Sequence, residues 1–109
     1  MPNLNAEPIK ILLVEDNPGD VRLTREALKD SKINNTLEVV EDGQEALDYL
    51  HKKGRYKNVE RPDLVLLDLD LPNTSGREVL EVAKSDPCLK RIPFVVLTIS
   101  KSDQDSLHS

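Results

Sequence analysis

Leu64-Val65-Leu66-Leu67-Asp68 is apolar until its last residue, which is a carboxylate. A second stretch, Ile9-Lys10-Ile11-Leu12-Leu13-Val14, is followed in the same way by Glu15-Asp16. Short runs this rich in Val, Ile and Leu read as strands covered on both faces, the kind that build parallel sheets. Further runs at 37–40 and 94–97 alternate with helical patterns. That order predicts an α/β fold with a doubly wound parallel sheet. In open sheets of this kind, ligands bind beyond the carboxyl ends of the strands, at a switch point in strand order. Glu15, Asp16, Asp68 and Thr98 all fall at predicted strand ends, so one crevice can collect them.

The helices carry their own punctuation. Asn17-Pro18 supplies a cap and a first helical residue whose missing N–H costs nothing. Val21, Thr24 and Leu28, with Ala27 beside them, form the inner face of the first helix. Asp42-Gly43-Gln44-Glu45 reads as a capping box opening a second helix, with Ala46, Leu47 and Leu50 turned inward. Ser75 and Glu78 open a third, with Val79, Leu80 and Ala83 inside, and Asp86-Pro87 ends it. Residues 54–62 form a long polar connection, and a fourth helix is expected from Asp103. Asp20, Asp30 and the lysines read as solvated helix faces, and Asp63 as a turn residue. His51 and His108 have no partner at metal-ligand spacing.

The 109 residues suffice for one domain. A net charge of −5 and aromatics at 3% argue against a nucleic-acid surface. No apolar run approaches the roughly 20 residues of a membrane span. Residues 1–8 lack the pattern of a signal peptide and read as a disordered lead-in to a domain at 9–109. The single cysteine, Cys88, permits no internal disulfide. A cytoplasmic protein with a surface thiol is expected.

Taken singly, the acidic residues are ambiguous. Glu15-Asp16 suits a solvated turn, Asp68 a strand-end turn, and Thr98 an ordinary β-branched strand position. Taken together they make a site. Three adjacent carboxylates repel one another unless a counter-charge is supplied. Mg²⁺ supplies it, because that ion takes one or two carboxylates together with phosphate oxygens and water. Phosphoryl transfer needs mainly positioning and charge stabilisation, and an aspartate can serve as covalent acceptor. Asp68 is the candidate acceptor, and the Thr98 hydroxyl a donor to a phosphoryl oxygen there. Leu66-Leu67-Asp68-Leu69-Asp70 also fits the Asp-x-Asp motif of haloacid-dehalogenase-like phosphatases, with Asp70 as general acid. Pro72 departs from that motif, and Glu15-Asp16 would have no role in it.

The motifs Ile11-Leu12-Leu13-Val14-Glu15-Asp16-Asn17, Asp42-Gly43-Gln44-Glu45-Ala46-Leu47, Pro62-Asp63-Leu64-Val65-Leu66-Leu67-Asp68, Leu71-Pro72 with Gly76, and Pro93-Phe94-Val95-Val96-Leu97-Thr98 resemble the receiver domain of two-component response regulators. The 54–62 loop and the 86–93 connection are similar to the subgroup that works with bacterial phytochrome-type sensor kinases. The resemblance implies a flavodoxin-like sheet of strand order 2-1-3-4, with the fifth strand and last helix missing from a truncated domain. It implies that Asp68 accepts a phosphoryl group from a sensor histidine kinase. It further implies that Glu15, Asp16, Asp68 and the backbone carbonyl of Asp70 hold Mg²⁺, and that Thr98 is the switch hydroxyl. Such a domain is a signalling switch rather than a turnover enzyme. The lysine that relatives carry on strand five is absent, and nothing assigns its role to Lys101. An exposed strand four then predicts a homodimer or swapped oligomer through that edge. A dimerisation or interaction module that keeps the acidic pocket without switching is the competing reading.

Overall fold

The computed structural model describes residues 8–69, 71 and 74–98. Four strands, β1 (Ile9–Val14), β2 (Asn35–Val40), β3 (Leu64–Asp68) and β4 (Phe94–Thr98), form one parallel sheet in the order β2-β1-β3-β4. Three helices connect them: α1 (Pro18–Asp30), α2 (Gly43–Leu50) and α3 (Gly76–Ser85). The doubly wound parallel sheet and its strand order are those expected. β2 begins two residues earlier than its apolar run, because Asn35 and Thr36 continue the ladder opposite Ile9 and Lys10.

β1 and β3, the central strands, are nearly all apolar because both of their faces are covered. Leu12, Val14, Val65 and Leu67 face α2 and α3 and share a core with Ala46, Leu50, Val79, Ala83 and Leu89. Ile11, Leu13 and Leu66 face the other way, toward Val21 and Leu28 of α1. Ala27 is exposed, so the inner face of α1 is narrower than its sequence pattern suggests. No residue of α1 is fully buried.

Helix starts follow their caps. Asn17 accepts from the Asp20 N–H at 3.1 Å, Asp42 from Glu45 at 2.7 Å and Ser75 from Glu78 at 3.2 Å. The Glu45 carboxylate is also engaged by Arg55 and by the Tyr56 hydroxyl, which fastens the 54–62 connection onto α2. That connection contains a short 3₁₀ turn, Gly54–Tyr56, and Tyr56 packs on Tyr49 with ring centroids 5.1 Å apart.

His51 and Asp63 make contacts that the sequence does not signal. His51 pairs with Asp86 at 3.2 Å, joining the C-terminal ends of α2 and α3. Asp63 does more than turn the chain, since its carboxylate accepts from the Lys10 N–H at 2.9 Å and its N–H donates to the Lys10 carbonyl at 2.7 Å. Both contacts cross between elements distant in sequence, which local pattern does not encode.

Gly43 lies against the loop between β3 and α3. A Cβ there would sit 2.6 Å from the Thr74 carbonyl carbon, with the carbonyl oxygen nearer still. Backbone cannot swing aside as a side chain does. We therefore expect Gly43→Ala to destabilise the domain by roughly 1–3 kcal/mol, the usual range for overpacking. Urea denaturation of the two proteins measures it, and a loss below about 0.5 kcal/mol would show that the loop yields freely.

Candidate functional site

The β1–β3 register creates the site. Val14 is paired with Leu67, so the next residue along each strand path is an acid, Glu15 on one and Asp68 on the other. These two strands flank the point where strand order reverses, since the chain passes from β1 outward to β2 and then returns to β3. Glu15, Asp16 and Asp68 each place a carboxylate oxygen within 4.8 Å of the others. Glu15 is 2% exposed and Asp68 6%, whereas Asp16 is exposed and leaves the pocket open to solvent. Carboxylates are almost never so buried without a partner or an ion.

Close backbone packing holds the acidic strand end in place. A Cβ on Gly76 would lie 2.5 Å from the Asp68 carbonyl oxygen and 2.6 Å from the Leu69 Cα, so only glycine lets α3 begin this near. The Gly76 N–H donates to the Leu69 carbonyl at 3.2 Å. Thr98 occupies the register position opposite Asp68 on β4, just past an irregularity at Leu67 and Asp68. Asp70, Lys101, Asp103 and His108 lie outside the described residues, and so do Pro72, Asn73 and the lead-in through residue 7.

Burial pushes the Glu15 carboxyl up from 4.5 to about 8, with the neighbouring Asp68 and then Asp20 raising it further. Asp20 is exposed, the solvated helix residue expected from the sequence, and still contributes to this shift. It stands in the first turn of α1, where its charge adds to that rise.

The Glu15 Oε2 atom is buried and has no hydrogen-bond partner. An oriented acceptor with nothing to accept from is costly, and a cation removes that cost. The three side-chain donors are all carboxylate oxygens. Such a set suits a hard ion such as Mg²⁺ and lacks the nitrogen or sulfur ligands that favour zinc. The pocket residues fit the ion.

The chain is similar to known proteins. Residues 11–109 match the response regulator receiver domain family. The response regulator Rcp1 of Synechocystis sp. is 50% identical over 102 residues, covering 94% of this chain and 69% of that protein. The phosphorylated cyanobacterial phytochrome response regulator RcpA superposes with a TM-score of 0.83 at 53% identity, over 94% of this chain and 74% of that one. The Mn²⁺-bound form of Rcp1 gives 0.84 at 50% identity, over 92% and 72%. Sequence match and fold agree, and the chain belongs to the response regulator receiver domain family.

Proposed function

We propose that the chain receives a phosphoryl group on Asp68 from a phosphohistidine of a sensor histidine kinase, in a Mg²⁺-dependent relay. The meeting of Glu15, Asp16 and Asp68 around a buried, unpartnered carboxylate oxygen carries this reading. An Asp68 oxygen attacks phosphorus, and the new P–O bond forms as the P–N bond breaks. The electron pair leaves with the imidazole nitrogen, and the product is an acyl phosphate. Glu15, Asp16 and Asp68 would hold the ion, with the Asp70 carbonyl as the further ligand that the family resemblance implies. When bound, Mg²⁺ supplies the counter-charge that keeps the carboxylates ionised and screens the phosphoryl oxygens. Thr98, opposite Asp68 in the ladder, provides the hydroxyl for a phosphoryl oxygen.

Asp68 is modified once per transfer, so the domain acts as a stoichiometric switch in the cytoplasm and not as a turnover enzyme. Likeness to RcpA, a phytochrome response regulator, supports a phytochrome-type kinase as partner. One observation favours an association role as well. Among the described residues β4 is an edge strand, with Val95, Val96 and Leu97 exposed at 45%, 45% and 40%. Exposed apolar edges pair with other chains, and a homodimer through β4 follows.

Three outcomes are expected. Incubation with Mg²⁺ and a small phosphodonor adds one phosphoryl mass, which disappears in Asp68→Asn or on chelation. Gain that persists in Asp68→Asn overturns the assignment. Light scattering over micromolar concentrations shows self-association that weakens in Val96→Lys; a monomer throughout removes the β4 dimer.

The third outcome concerns pH. The raised Glu15 carboxyl means the fold holds that proton more tightly than the unfolded chain does. Its stabilising contribution is complete below 4.5 and is lost as pH rises through about 8. The metal-free protein should therefore lose melting temperature across that window relative to Glu15→Gln. Saturating Mg²⁺ should reduce the loss, because the ion displaces the proton. Parallel curves for the two metal-free proteins, read by scanning calorimetry, would reject a strained Glu15.

A further inference from the structure

We propose that a crevice at the entry end of the sheet, between β2, α2 and the 54–62 connection, binds a small organic cation of the guanidinium class through the Glu38 carboxylate and the Tyr49 hydroxyl. It lies at the opposite end of the strands from Glu15 and Asp68, and the proposed phosphoryl transfer makes no use of it.

The ladder builds this crevice. Thr36 and Glu38 pair with Lys10 and Leu12, and Leu12 belongs to the core beneath α2, so these positions share that face of the sheet. The helix covers Leu12 and Val40 but leaves Thr36 and Glu38 exposed. The space left has a volume of about 220 Å³ and is lined by Lys10, Thr36, Glu38, Tyr49, Asn58 and Glu60. Cavities for drug-sized ligands start at roughly 300 Å³, so this one suits a single small group.

Tyr49 carries the inference. It is 7% exposed, yet among the described residues its hydroxyl has no hydrogen-bond partner. Buried tyrosine hydroxyls usually find one. Glu15 Oε2 is the one unpartnered side-chain oxygen or nitrogen sealed from solvent among the described residues, so the Tyr49 hydroxyl keeps an opening, and Tyr49 lines this crevice. Its ring is held by packing on Tyr56. Glu38 makes no hydrogen bond or ion pair among the described residues, whereas Lys10 is engaged by Glu60 at 2.7 Å. The charge left over is negative. Burial, and after it the Glu38 charge, hold the Tyr49 hydroxyl above its ordinary range against the pull of Lys10, so it stays a neutral phenol able to accept. A guanidinium offers five donors in one plane and meets a carboxylate with two of them. Glu38, Tyr49, Thr36 and Asn58 are the acceptors, and buried Ile11 and Pro62 receive the apolar stem.

Plainer roles compete. A charge on an edge strand discourages pairing with other chains, which accounts for Glu38 taken alone. Water in the crevice would serve the Tyr49 hydroxyl. Neither role makes the crevice prefer a cation to a neutral molecule of the same shape.

The test titrates butylguanidinium and its uncharged counterpart butylurea into the full chain, followed by amide NMR shifts. Butylguanidinium should shift residues 36–38 and 58–60 saturably, with butylurea at least about tenfold weaker. Glu38→Gln, at an exposed position, should weaken binding about tenfold, and Tyr49→Phe, which keeps the ring and its packing, about threefold. Glu81→Gln, an exposed acid on α3, should stay within about twofold. N-acetylarginine amide separates two sources of the cation. Binding as tight as butylguanidinium supports a side chain borne by another protein, and binding of butylguanidinium alone supports a free small molecule. The proposal is overturned by equal binding of butylurea, by shifts that do not saturate or that centre on residues 15, 16 and 68, or by unchanged binding in either Glu38→Gln or Tyr49→Phe.

Discussion

Everything at the functional end of this domain follows from holding two carboxylates, Glu15 and Asp68, side by side out of water. Neither charge nor burial favours that. Like charges a few ångströms apart oppose ionisation, and removal from solvent opposes it further. The carboxyl of Glu15 accordingly sits well above its ordinary range. What enforces the juxtaposition is the β1–β3 ladder, in which Val14 meets Leu67. A slip of one residue would turn every side chain of a strand to the opposite face. The cores on both faces of the sheet forbid the slip, because Leu12 and Leu13 are fully buried on opposite sides. Hydrophobic burial along the strands thus sets the position of the charges at their ends.

Much of this was legible in the chain. Apolar runs broken by acids, with helical spacing between them, encode both the sheet and the place where carboxylates gather. Asn17, Asp42 and Ser75 announce helix starts, and each cap forms in the structure. These signals are local: a cap acts over three residues and a buried strand over five or six. The family resemblance rested on the same local motifs, and the fold agrees with it.

Other features were not legible, for a common reason. His51 with Asp86, Asp63 clamping Lys10, and Glu45 held by Arg55 and Tyr56 are all side-chain contacts between separate elements. A charged residue on an amphipathic helix looks solvated from its sequence whether or not a neighbour later arrives. Ala27 shows the converse, since apolar spacing placed it inward and the narrow contact of α1 leaves it outside. Position within an element can be read from sequence, but which element stands opposite depends on the packed fold.

The two ends of the sheet are built to different purposes. At the entry to the strands, the Lys10 and Asp63 backbones and side chains interlock, Lys10 also reaches Glu60 at 2.7 Å, and His51 ties α2 to α3. At the exit, where the acids gather, the contacts are backbone against backbone: Gly76 against Asp68 and Leu69, and Gly43 against Thr74. Such contacts have no flexible side chain to absorb a displacement, and packed interiors shift between discrete arrangements rather than deform smoothly. The fold is fastened at one end and closely fitted at the other, where α2 and α3 begin against the backbone at and beyond Asp68.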